Sequence, residues 1–111
     1  MAIENQQLTT AQLDLLTVPA SKQYAITTVM VCNKDSSSTA SFDMHLVKSG
    51  EAVANNKTII VNELSLPPGE TFTFDSEKIV LGEGDKLSFV AEPDIGAALT
   101  NLVATVSYLE V

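Results

Sequence analysis

The sequence predicts an all-β fold, an antiparallel β-sandwich of jelly-roll or immunoglobulin-like type with about seven or eight strands. Three observations predict it. Tyr24 to Asn33 is a run without Gly or Pro, dominated by β-branched and other apolar residues, that stops at a polar patch. Short alternating segments recur along the rest of the chain, separated by polar turns and with no convincing long helix. Apolar residues make up 45% of the 111 residues, yet aromatics reach only 5% and Trp is absent. The core is therefore mostly aliphatic, which is what packed sheets favour. The length fits one domain, because two would each be too small to bury a core.

Residues 1 to 7 are polar and are expected to form a flexible arm, leaving 8–111 as a single sandwich domain. Between Leu8 and Val18 two patterns compete: Leu13, Leu15 and Leu16 fit a short amphipathic helix, whereas Leu13, Leu15, Thr17 and Val18 fit a strand that enters Pro19. A residue before Pro is pushed out of helical dihedrals, which favours the strand over the second half. Pro19 to Lys22 then reads as a turn feeding the central strand. In that strand strict alternation puts Tyr24, Ile26, Thr28, Met30 and Cys32 on one side and Ala25, Thr27, Val29 and Val31 on the other. Both sides look largely covered, so the strand belongs in the middle of a two-layer structure.

Asn33 to Thr39 is a run of turn formers too polar to bury. It leads to Ala40 to Val47, where Ala40, Phe42, Met44 and Leu46 face the core and Ser41, Asp43 and His45 face water or a partner. Lys48 to Lys57 is a polar connection with turn signals at Gly50 and Asn55-Asn56. Thr58 to Leu66 is a strand stopped by Pro67-Pro68-Gly69, since neither Pro can donate to a ladder and Gly tolerates a positive φ. Glu70 to Asp75 alternates and buries Phe72 and Phe74. Ile79 to Leu81, the turn Gly82-Glu83-Gly84-Asp85, and Lys86 to Ala91 follow. A loop around Pro93 and Gly96 precedes the last strand, Asn101 to Val111. Strands this close in sequence favour hairpins and antiparallel sheets.

Six basic against fourteen acidic side chains give a net charge of −8. That balance repels phosphate backbones and anionic bilayers, so neither nucleic acid nor a membrane is an expected partner. The simplest meaning of the charge is solubility; a basic partner surface is the sharper alternative. Cys32 is the one cysteine, so no intrachain disulfide forms and packing alone supports the fold, which suits a reducing cytosol. Residues 1 to 7 lack the charged start and apolar run of a signal peptide, and no stretch reaches the length of a membrane span.

Reaction chemistry has little to work with. His45 is the one histidine, so a triad or a multi-imidazole metal site within one chain is not expected; its alternating strand makes it a surface residue. Cys32 would need a neighbouring positive charge to act as a nucleophile and is expected to be a quiet buried thiol. Asp75, Glu77, Glu83 and Asp85 offer oxygen ligands without the spacing of a calcium loop. The Gly82 to Asp85 segment has no following Lys-Ser or Lys-Thr and is a turn, not a phosphate cradle. Asn56-Lys57-Thr58 matches a glycosylation triplet that is common by chance. The chain is expected not to be an enzyme, and no cofactor or metal is expected.

Four segments in order carry a resemblance: Thr17 to Lys22 leading into the strand that ends Val31-Cys32-Asn33; Leu66-Pro67-Pro68-Gly69-Glu70-Thr71; Leu81-Gly82-Glu83-Gly84-Asp85-Lys86-Leu87; and the closing Ser107-Tyr108-Leu109-Glu110-Val111. Together they resemble small β-sandwich virion proteins of tailed bacteriophages, especially of phages infecting cyanobacteria and other aquatic bacteria. The resemblance implies a non-enzymatic structural subunit, assembled in the host cytoplasm and located in the virion. It would be an accessory or decoration protein on the head, or on the collar or tail. Its partners would be phage structural proteins and further copies of itself in a homo-oligomer. A receptor- or glycan-binding module of a fibre or baseplate is the alternative, although such modules display aromatic side chains in loops. The residues expected to contact a partner are the polar arm, Glu4, Asn5, Gln6 and Gln7, and the loop Lys34, Asp35, Ser36, Ser37 and Ser38.

Overall fold

The computed structural model describes residues 2–54, 57–74, 79–92 and 102–111. Nine strands are present among them: β1 (Ala2–Gln7), β2 (Leu13–Thr17), β3 (Tyr24–Asn33), β4 (Ala40–Val47), β5 (Ile59–Leu66), β6 (Thr71–Phe74), β7 (Ile79–Leu81), β8 (Lys86–Ala91) and β9 (Leu102–Glu110). One sheet has the order β1-β9-β3-β6 with β7 also paired to β3, and the other has the order β2-β8-β4-β5. All pairings are antiparallel.

The connectivity is that of a jelly roll. The chain doubles back on itself, so that β1 pairs with β9, β2 with β8, β3 with β6 and β7, and β4 with β5, and this long double ribbon is rolled into two facing sheets. Of the two sandwich types compatible with the sequence, the strand order selects the jelly roll. Hairpins are not what makes the sheets antiparallel: β4 and β5 are the one sequence-adjacent pair that bond to each other among the described strands. Consecutive strands mostly cross between sheets instead.

The two inner faces meet in one aliphatic core. Val29, Val31, Ala104 and Val106 from the first sheet and Phe42, Met44, Leu87 and Phe89 from the second are all fully enclosed. The Phe42 ring sits at its centre, 5.7 Å from the ring of Phe72 and 6.3 Å from that of Phe89. Phe72 and Phe74 are half-buried against this cluster, not fully enclosed as expected.

The extra strand is β1. Residues 2–7 are not a loose arm: they lie in regular antiparallel register on β9, from Ala2 opposite Tyr108 to Gln7 opposite Val103. A polar segment becomes a strand here because β9 presents an unpaired ladder edge whose N–H and C=O groups need partners. Leu8, fully buried, pins its end.

Strict alternation in β3 fails at one residue. Ile26 faces Tyr108 and Thr28 faces Ser107, so Thr27 is the extra residue of a bulge. Its hydroxyl donates to the Ser107 carbonyl at 3.1 Å. Past the bulge the faces exchange: Val29 and Val31 point into the core, while Met30 and Cys32 point outward. Cys32 is accordingly half-buried on the outer face, not enclosed in the core.

His45 is also placed differently from expectation, at 1% exposure. The connection after β4 folds back over its outer face, where Leu46 N–H donates to the Thr58 carbonyl and His45 Nδ1 lies 2.9 Å from Thr58 Oγ1. Asp43 beside it is buried too, its carboxylate accepting from Glu63 N–H at 2.6 Å.

Candidate functional site

The outer face of the five-stranded sheet is built from side chains that alternate with the core set. In register across it lie Asn5, Thr105, Met30 and Thr73; then Gln7, Val103, Cys32 and Thr71; then Ile3, Ser107 and Thr28. Toward the other end Leu109, Ala25 and Val80 complete it. None of these is Asp, Glu, Lys or Arg. Ile3, Met30, Val80 and Leu109 are exposed apolar residues on this surface. Among the described residues, a protein of net charge −8 thus keeps one broad sheet face uncharged.

The charge lies elsewhere. Asp14, Asp43 and Lys86 sit on the outer side of the four-stranded sheet, where Lys86 Nζ and Asp14 Oδ2 are 3.7 Å apart and Ser88 Oγ donates to Asp14 Oδ1 at 2.7 Å. Burial acts to raise the Asp14 pKa, but Ser88, Gln12 and Lys86 outweigh it and hold the carboxyl below its ordinary value. Glu83 accepts from Ser21 N–H, and Asp85 accepts from Ser49 N–H and Gly82 N–H. These two carboxylates brace turns. Asp75 and Glu77 lie outside the described residues, as do Asn55, Asn56, Pro93 and Gly96.

Of the residues expected to contact a partner, Glu4, Asn5 and Gln6 are exposed along β1 and Gln7 is half-buried at its end. Lys34, Ser36 and Ser37 are exposed, whereas Asp35 and Ser38 are half-buried. The loop is clamped from within. Asn33, fully buried, donates through Nδ2 to the Ser38 and Leu66 carbonyls, both at 2.9 Å, and accepts from Asp35 N–H. Asp35 in turn accepts from Ser38 N–H at 2.6 Å, and hydrogen bonds from Ser38 hold its carboxyl below the ordinary carboxylate value. Much of this polar loop's composition is thus used by the loop itself.

The two segments share one end of the sheet without merging. Gln7 and Cys32 flank Val103 on opposite sides, so β9 separates the end of β1 from the start of the loop by two strand spacings, about 10 Å. The sequence reading missed the neutral sheet face. Its residues alternate with core positions across five strands, and only the register aligns them into one surface.

The two tyrosines and four phenylalanines all sit on strands, with the Tyr24 and Tyr108 rings tilted by 33° at a centroid distance of 4.5 Å. Comparison of the chain with protein-family models, with curated proteins and with solved structures finds no match.

Proposed function

We propose that the chain is a non-enzymatic structural subunit of a tailed-bacteriophage virion, an accessory protein attached to the head, or to the collar or tail. The observation that carries this reading is the division of the surface: an uncharged sheet face bordered by an open strand edge, backed by a charged opposite sheet. A subunit held on a particle needs one face that sheds water readily and another that stays solvated. The neutral face meets the first need. It offers no carboxylates that would have to be desolvated on docking.

Two further points support it. Jelly rolls recur in viral capsid proteins as well as in lectins and cupins, a likeness of architecture alone. Four of the described carboxylates, Asp35, Asp43, Glu83 and Asp85, accept hydrogen bonds from backbone amides, which gives them a structural use. Glycan binding receives less support, because no aromatic ring stands in a loop to stack on a sugar.

Electron microscopy of purified virions carrying a gold-labelled version of the chain tests the proposal. Label at repeated, symmetric positions on head, collar or tail is expected; label confined to fibre tips would transfer the chain to the receptor-binding class.

A further inference from the structure

The edges of the two sheets are not alike. β2 is bulged between Asp14 and Leu16 and runs toward Pro19. β5 has two register shifts, a positive φ of 48° at Glu63, and Pro67 directly after its end. The edge beyond β3 is divided between β6 and β7, of four and three residues. Short length, bulges and prolines are the usual protections against edge-to-edge pairing. β1 has none of them: six residues in unbroken register on β9, without Pro or Lys, and with Glu4 as its one charge. Among the described strands none is bonded to its other side.

The ladder fixes which groups face that side. Leu8 N–H donates to the Leu102 carbonyl, the residue opposite it in the β1–β9 register. Opposed residues in an antiparallel pair alternately exchange both hydrogen bonds and none. Ala2, Glu4 and Gln6 therefore direct their backbone groups at β9, while those of Ile3 and Asn5 point outward from the sheet.

We propose that a second copy of this chain pairs with β1 across a two-fold axis through Asn5, joining the two five-stranded sheets into one. The axis sets Asn5 opposite Asn5, each donating its N–H to the other's carbonyl, with Glu4 opposite Gln6 and Ile3 opposite Gln7. Shifting the axis to Glu4 would set two carboxylates face to face, which is destabilising. Shifting it to Gln6 would draw buried Leu8 into the pairing. A copy is the fitting occupant on charge: two chains of net charge −8 repel least where each presents a nearly neutral edge. The pairing also makes the uncharged outer faces of both copies continuous, doubling the surface that the proposed virion role relies on. It rests on β1 being the assembly edge.

Cross-linking and sedimentation of the full chain test it. In a Cys32→Ser background, Asn5→Cys brings two thiols together on the axis and is expected to give a disulfide-linked dimer on mild oxidation. Ile3→Cys places its thiols about 13 Å apart along the strands, out of bonding reach, and is expected to stay unlinked. Asn5→Pro removes an N–H that β9 does not use; it is expected to weaken self-association about tenfold or more with unchanged circular dichroism. Equal linkage at both positions, or a dimer that withstands Asn5→Pro, overturns the pairing. A chain that stays monomeric at millimolar concentration yet occupies virions overturns the pairing alone. A chain that dimerises but is absent from virions overturns the virion reading alone.

Discussion

His45 Nδ1 and Thr58 Oγ1 lie 2.9 Å apart beneath a connection that also joins Thr58 Oγ1 to the Ala54 carbonyl. Both residues are buried, so the imidazole helps fasten the β4–β5 connection onto the outer side of β4. Burial lowers the His45 pKa from its ordinary 6.5, and the Asp43 carboxylate opposes this only in part.

A pH dependence follows from that depression. The unfolded chain takes up a proton on His45 at higher pH than the folded chain does, so stability is complete above about 6.5 and declines as pH falls toward the lowered folded value. Urea midpoints measured between pH 7.5 and 5 are expected to fall over this window. His45→Asn should flatten the slope there, because no other histidine is present; the same slope in both proteins would refute the assignment. Asp14, Asp35 and Glu51, whose values are lowered, weaken the fold only at more acidic pH.

Asn33→Ala is expected to cost roughly 1–3 kcal/mol, since it leaves one buried and one half-buried carbonyl without their donor. The carbonyls concerned belong to Ser38 and Leu66. Hydrogen exchange should show residues 34 to 38 losing protection ahead of the sheets. Uniform loss over the whole chain would mean that Asn33 supports the fold at large and not this loop.

Gly84 sits at φ 81°, and a Cβ there would clash with the Ser49 side chain. Gly84→Ala is therefore expected to destabilise by roughly 1–3 kcal/mol, read as a lower thermal midpoint. Adding Ser49→Gly should recover the part due to the clash and leave the part due to the backbone. Full recovery would show that φ contributes nothing.

Phe42→Ala is expected to cost about 3–5 kcal/mol, because a large ring packed on two others leaves a cavity that rigid sheets refill poorly. Its surroundings are the rings of Phe72 and Phe89. Phe74→Ala, at a half-buried ring, should cost clearly less; equal losses would put the core's centre elsewhere.

Much of this architecture is legible in the sequence, for a local reason. β3 spans Tyr24–Asn33, the residues its composition marks, because β-branched density and flanking turn residues are properties of the segment itself. β1 was hidden because its stability comes from β9, about a hundred positions away and invisible to any window over Ala2–Gln7. The bulge at Thr27 depends on Ser107 in the same way. Burial of His45 depends on a connection folding back, and the neutral sheet face depends on the register of five strands. Long-range pairing, not propensity, decides each of these.

Quantitative mass spectrometry of gradient-purified virions from an infection supplying the tagged chain bears on the virion role itself. Many copies per particle, retained through high-salt washing because the docking face is uncharged, are expected. A chain left in the soluble lysate, with none in the particle fraction, would contradict a structural role in the virion.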